Sequence, residues 1–159
     1  MVGQLNQLLN LSDHFFERGL KAGIGSDITV SVPAWDKEYK FHTLVLDQIP
    51  YFRVLFEGKF CENTAEKITL QLEDNPYITP EAFQLTLKYV YSQKHGTFTD
   101  KNVLEVLALS SYFWLDSLSD LCVDYITDNM APDNVLGFVK FVDEKSSLWY
   151  IHYLSYYPS

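Results

Sequence analysis

The chain has 159 residues, a net charge of −9 and a pI near 4.7, and its 12 Lys and Arg are scattered. That length suits one domain with an appendage and can bury a core unaided, while the acidic balance disfavours direct nucleic acid binding, which needs a positive field against phosphate. No apolar run approaches the roughly 20 residues that cross a bilayer, and no signal peptide is expected.

Residues 4–20 predict a helix with Leu5, Leu8, Leu9, Phe16 and Leu20 near one face, and Lys21–Gly25 predicts a linker with two glycines. Ile28–Val32 alternates as a half-buried strand does, with Ile28, Val30 and Val32 on one side. After the turn-rich Pro33-Ala34-Trp35-Asp36-Lys37, the run Glu38–Phe41 predicts its antiparallel partner. Two short helices follow, divided by Pro50, which pushes the residue before it out of the α region and suits the first turn of the next helix. In Pro50–Lys59, Phe52, Leu55 and Phe56 share a face, and Gly58 predicts the end. A polar loop carrying Phe60-Cys61-Glu62 then leads to a strand over Lys67–Leu72.

Asp74–Thr79 predicts a loop, with Thr79 capping a helix whose first turn holds Pro80. Phe83, Leu87, Val90 and Tyr91 form its inward stripe, and Gln93–Gly96 breaks it. Thr99 or Asp100 caps the next helix, whose run Val103–Leu109 is apolar nearly all round and predicts the buried centre. Ser110–Trp114 predicts a turn with three aromatics in a row, and Leu115, Leu118, Cys122, Tyr125 and Ile126 the next stripe. Pro132 opens a further helix with Val135, Phe138, Val139 and Val142 inward. The aromatic tail from Ser146 reads either as a second helix or as an exposed patch that wants a partner.

The sequence offers no chemistry of its own. His14, His42, His95 and His152 are far apart and beside no Cys or acidic cluster, so no metal and no cofactor is expected. Cys61 and Cys122 are too few for a disulfide framework and predict reduced thiols. Gly23-x-Gly25 is too short for a phosphate loop and leads into a strand. With no nucleophile elbow and no Cys/His pair in a recognisable setting, the chain is not expected to be an enzyme.

Ser26-Asp27-Ile28, then Phe41-His42-x-x-Val45-Leu46, then Pro50-Tyr51-Phe52-x-x-Leu55-Phe56 resemble the BTB/POZ domain in residue type and spacing. Lys67-Ile68-Thr69-Leu70, Pro80-Glu81-Ala82-Phe83, Tyr89-Val90-Tyr91 and Asn102-Val103-Leu104-x-x-Leu107 continue the resemblance in the family's order. The Gly25-Ser26-Asp27 entry and the longer link at Asp74–Thr79 look most like the germ-cell-less type and fungal members. The resemblance implies an α+β (mixed α/β) fold, a small sheet flanked by a cluster of helices. It divides the chain into an N-terminal helix and linker over 1–24, the BTB/POZ domain over 25–128, and a C-terminal helical extension and tail over 129–159.

The same resemblance implies a protein-interaction module, an adaptor that ties a substrate protein to cullin-3 in a ubiquitin ligase. Cullin-3-binding members carry a hydrophobic-x-Glu tripeptide in the loop that Phe60 and Glu62 match, the apolar residue filling a pocket made with a cullin helix; the alternative is a phenylalanine tucked back on the core. Tyr112 and Phe113 stand where the family borders the cullin surface and are secondary candidates, against plain core packing. A helix before the first strand builds half of a homodimer interface in many members, which assigns Leu5, Leu8, Leu9 and Phe16 to it; otherwise the helix packs on its own domain. His42 is expected to be structural. Transcription-factor members recruit co-repressors at a charged dimer pocket where Asp27 would face a basic residue, but Thr43 follows His42 here. A self-associating scaffold and, remotely, a tetramerising domain of the potassium-channel type are the further alternatives. The expected partners are cullin-3, a second copy of the chain and an unidentified substrate protein, with no direct nucleic acid contact and no membrane insertion, inside the cell in nucleus or cytoplasm.

Overall fold

The computed structural model describes residues 11–59, 67–72 and 75–144. Leu5, Leu8, Leu9, Phe60, Cys61, Glu62 and the aromatic tail therefore lie outside the described residues. Strand β1 (Ile28–Val32) buries every second residue, as its alternation predicts. It pairs antiparallel with β2 (Lys37–Phe41), Ile28 opposite Phe41, across a 3-10 turn at Pro33–Trp35 that Asp36 closes in a left-handed conformation. On its other edge β1 pairs parallel with β3 (Lys67–Thr69), Val30 opposite Ile68, giving the order β2-β1-β3.

A parallel pair needs a crossover. Two helices in the intervening chain, α2 (Thr43–Leu46) and α3 (Pro50–Lys59), belong to it. Strand β3 is shorter than the sequence predicts; the chain nevertheless stays inward, with Leu70 donating to Ser31 O at 2.8 Å and both Leu70 and Leu72 buried. Helix α3 has the expected range Pro50–Lys59, and Gly58 in its last turn is not among the left-handed glycines Gly23, Gly25 and Gly96.

Helix α4 (Pro80–Ser92) begins as expected: Thr79 Oγ1 accepts from the Ala82 N–H and Pro80 fills the first position. Its stripe Phe83, Leu87, Val90 and Tyr91 is buried. Helix α5 (Asp100–Tyr112) is capped by Thr99, and Asn102 returns its side chain to the Thr99 N–H. Its buried Val103, Leu104, Val106, Ala108 and Leu109 make it the centre of the fold. Helix α6 (Asp116–Asn129) packs Leu118 and Cys122 inward.

The last described helix, α7 over 135–144, is rotated from the expected phase. Phe138 and Phe141 are buried, while Val139 and Val142 are exposed. The two aromatics present more apolar area than the valines, and burying them stabilises more; Phe141 stands edge-on to Tyr77 at 4.7 Å. At the other end, α1 (Phe15–Lys21) is wound as a π-helix after an α-helical turn over 11–14. It lies on α4, tied by Lys94 Nζ to Asp13 Oδ1 at 2.6 Å and by Ser12 Oγ to Ser92 O.

Candidate protein-interaction surface

The three aromatics after Ser111 do not behave alike. Phe113 is fully buried, its ring stacked on Phe52 at 5.5 Å and 28° and close to Phe83 at 6.2 Å. A side chain with no exposed surface does not touch a partner, so the structure corrects its place among the candidates: Phe113 is core, and it supports what lies above it. Tyr112 is half-buried, with its ring 5.1 Å from Tyr51 and its hydroxyl 3.3 Å from the Tyr51 hydroxyl. Trp114 is 36% exposed and meets the same Tyr51 ring at 6.4 Å. Tyr51, near the start of α3, is thus the hub that Tyr112, Phe113 and Trp114 all grip.

Helical spacing places Tyr51, Val54, Leu55 and Gly58 along one side of α3, beside the buried Phe52 and Phe56. Val54 is exposed and Tyr51 and Leu55 are half-buried, so this stripe and Trp114 form an apolar surface. Helix α3 then leads directly into the segment that holds Phe60 and Glu62, which lies outside the described residues. Tyr51, Val54 and Trp114 were not singled out from sequence. The stripe on α3 was available as spacing, but nothing in the order Tyr112-Phe113-Trp114 tells which ring turns outward.

A second cluster is structural. The Asp27 Oδ1 accepts from the Thr43 N–H at 2.7 Å and so caps α2 from a distance. His42 Nε2 is 2.7 Å from Ile24 O, its Nδ1 is 2.9 Å from Tyr91 Oη, and its backbone N–H donates to the same hydroxyl at 3.1 Å. With the Tyr91 hydroxyl accepting from the backbone and donating to Nδ1, Nε2–H is the donor to Ile24 O. Burial pushes the Tyr91 phenol up to about 12, against a smaller opposing effect of the His42 N–H. His42 therefore does the expected structural work, holding the α1–β1 linker to α4.

On the N-terminal side, Phe16 is half-buried on its own domain, with Lys21 Nζ 4.9 Å and Lys88 Nζ 5.0 Å from its ring centre. It closes an apolar groove of about 580 Å³ between α1, β2 and α4. Leu11, Phe15, Ile24 and Leu44 are exposed on α1, the linker and α2, with Leu44 at 84%. Cys122 is buried, and burial raises its thiol to about 12. Among the described residues no group of three His, Cys, Asp or Glu could hold a metal, and no helix is long and apolar enough to cross a membrane.

A family profile described as the BTB/POZ domain matches residues 16–130. Kelch-like protein 41 of Mus musculus is 33% identical over 114 residues, 71% of this chain and 18% of that protein. Protein germ cell-less of Drosophila melanogaster is 28% identical over 134 residues, 84% of this chain and 23% of that protein. The chain thus spans about a fifth of the length of these curated relatives. Among solved structures, the BTB domain of zebrafish PATZ1 superposes with a TM-score of 0.56 at 18% identity, covering 78% of this chain and 91% of that one.

Proposed function

Because the chain belongs to the BTB/POZ family, we propose that it is a non-enzymatic adaptor module that binds cullin-3 through the surface of α3 and the α5–α6 turn and presents a substrate protein to a ubiquitin ligase. The observation that carries this reading is the aromatic surface around Tyr51, with Tyr112 and Trp114 at its edge, on the helix that runs into Phe60-Cys61-Glu62. Phe60 serves as the apolar anchor and Glu62 fixes its loop. Tyr112 adds contact area, held from beneath by Phe113. The likeness to Kelch-like and germ cell-less proteins supports an interaction role.

The module acts as a homodimer in this reading. Leu5, Leu8, Leu9 and Phe16 belong to the interface, and the exposed Leu11, Phe15, Ile24 and Leu44 supply an apolar face for the second copy. Its place is inside the cell, in nucleus or cytoplasm. The co-repressor reading gains nothing from the structure, since the Asp27 carboxylate is engaged by the Thr43 N–H.

The test is a calorimetric titration of the chain with the N-terminal domain of cullin-3, with Phe60→Ala alongside. Saturable binding weakened by about 2 kcal/mol in the variant, the scale of a buried aromatic anchor, at an unchanged melting temperature is the expected result. Absence of binding by folded wild-type protein would refute the cullin-3 assignment. Light scattering before and after deletion of residues 1–20 tests the dimer, which should fall to a monomer.

A further inference from the structure

The π winding of α1 decides what its side chains face. Its hydrogen bonds reach back five residues instead of four, as the Ala22 N–H does to Glu17 O at 3.2 Å. In an α-helix, at about 3.6 residues per turn, Lys21 would stand about 140° around the axis from Phe16. The wider winding brings residues four and five apart to one side, and Phe16, Leu20 and Lys21 all line the groove between α1, β2 and α4. The π form is rare, and where it occurs it often marks a functional site.

The groove has apolar walls and a charged rim. Leu20, Tyr39, Phe41, Phe83 and Leu85 belong to the walls, and at the rim Lys21, Lys40 and Lys88 stand against Glu81. That local sign opposes the net charge of −9. Lys21 and Lys88 come from different helices and converge on one ring, their Nζ atoms 4.9 and 5.0 Å from the centre of Phe16. Two ammonium groups gathered there repel each other. Lys21 is paired with the exposed Glu17 at 3.0 Å, and Lys40 Nζ donates to Thr29 Oγ1 at 2.7 Å. Among the described residues no carboxylate forms an ion pair with Lys88. Glu81 lies in the first turn of α4, two turns or roughly 10 Å from Lys88. The groove thus has an acidic end and a cationic end.

We propose that this groove binds a monoanionic amphiphile, a free long-chain carboxylic acid, with its alkyl chain along the apolar walls and its carboxylate between Lys21 and Lys88. The volume of about 580 Å³ falls in the range of about 300–1,000 Å³ usual for small-molecule sites, which pair apolar walls with a few convergent polar groups. A carboxylate drawn out of water needs an opposite charge. The two ammonium groups supply it, while Glu81 repels it from the other end and so sets the ligand's direction. The acid arrives free, because a chain of net charge −9 is repelled by an anionic bilayer. The site shares no residue with the surface around Tyr51 and does not rest on the cullin-3 reading. It does share Phe16 with the dimer interface proposed above, so Phe16 stays unchanged in the test.

The test is calorimetric titration of the full chain at pH 8 with sodium dodecanoate below its micelle concentration, with uncharged dodecanol alongside. Wild type, Lys88→Gln, Gln84→Trp and the control Lys101→Gln, at an exposed position of α5, are compared. Dodecanoate should bind wild type saturably, one per chain, and raise its melting temperature, as a ligand of the folded state does. Dodecanol should bind at least about tenfold more weakly, and Lys88→Gln should weaken dodecanoate by about the same factor, the scale of a hydrogen bond to a charged group. Gln84 is exposed at the groove, so Gln84→Trp should fill the space and abolish binding while melting as wild type does. Lys101→Gln should bind normally. Wild-type protein that shows no saturable binding overturns the proposal, and so does equal affinity for dodecanol. Lys88→Gln that binds like Lys101→Gln removes the carboxylate site, and full binding by folded Gln84→Trp removes the groove.

Discussion

Replacing Phe113 distinguishes a core residue from a contact residue. Its ring is fully buried, stacked at 28° on Phe52 at 5.5 Å and near Tyr51 at 5.4 Å and Phe83 at 6.2 Å. Truncation to alanine should remove about 3–5 kcal/mol, a large share of the roughly 5–15 kcal/mol that holds a domain together. Phe113→Leu is the more useful variant, since it keeps an apolar filling and loses only part of the volume and the ring–ring contacts. We expect it to cost about 1–2 kcal/mol, lowering the melting temperature by about 2–8 °C for a chain of this size. Tyr112→Leu should cost less than about 1 kcal/mol. Its half-exposed ring loses little burial, and its 3.3 Å contact with the Tyr51 hydroxyl is too long for a strong O–H···O bond. Urea unfolding followed by far-ultraviolet circular dichroism, at one protein concentration, measures both. A Phe113→Leu variant within about 0.5 kcal/mol of wild type, or a Tyr112→Leu variant that costs as much as it does, would refute the assignment of inside and outside at this turn.

Two further outcomes follow from buried titrating groups. With its thiol raised to about 12 by burial, Cys122 should resist alkylation at pH 8 in a Cys61→Ser background and react only as fast as the protein opens; rapid labelling of the folded variant would contradict its burial. The folded state holds the Tyr91 proton to about 12 against an ordinary value of 10.0. The stability this contributes is complete below pH 10 and is lost as the pH rises towards 12. The gap in urea midpoint between wild type and Tyr91→Phe should therefore narrow from pH 9.5 to pH 11.5, and a constant or widening gap would contradict the burial that raises the Tyr91 phenol.

What could be read from sequence was what local chemistry fixes. Thr79 and Pro80 announce a helix start because a hydroxyl cap and a missing N–H each fit only there, and the α4 stripe follows from helical spacing. The phase of α7 was less legible. Val135, Val139 and Val142 and the phenylalanines together leave it apolar on several sides, so periodicity alone names two faces and the larger rings decide between them. At Tyr112-Phe113-Trp114 the chain leaves the helix, and helical spacing no longer says where a side chain points. Left-handed Trp114 reverses the direction, and the usual sign of such a turn, a glycine, is missing. Recognition of Phe60 and Glu62 rested on family spacing, and they lie outside the described residues.

The central place of β1 also has a consequence for how the chain is made. Its contact with β2 closes through a tight turn, on a scale of about 1–10 μs for a hairpin. Its other edge must wait for Ile68, beyond α2, α3 and the chain between. Synthesis proceeds at about 5–20 residues per second, so the nascent hairpin stands for seconds with Val30 and Ser31 facing an empty lane. That interval is when a chaperone can hold the chain, and when a neighbouring nascent copy can lend the wrong strand.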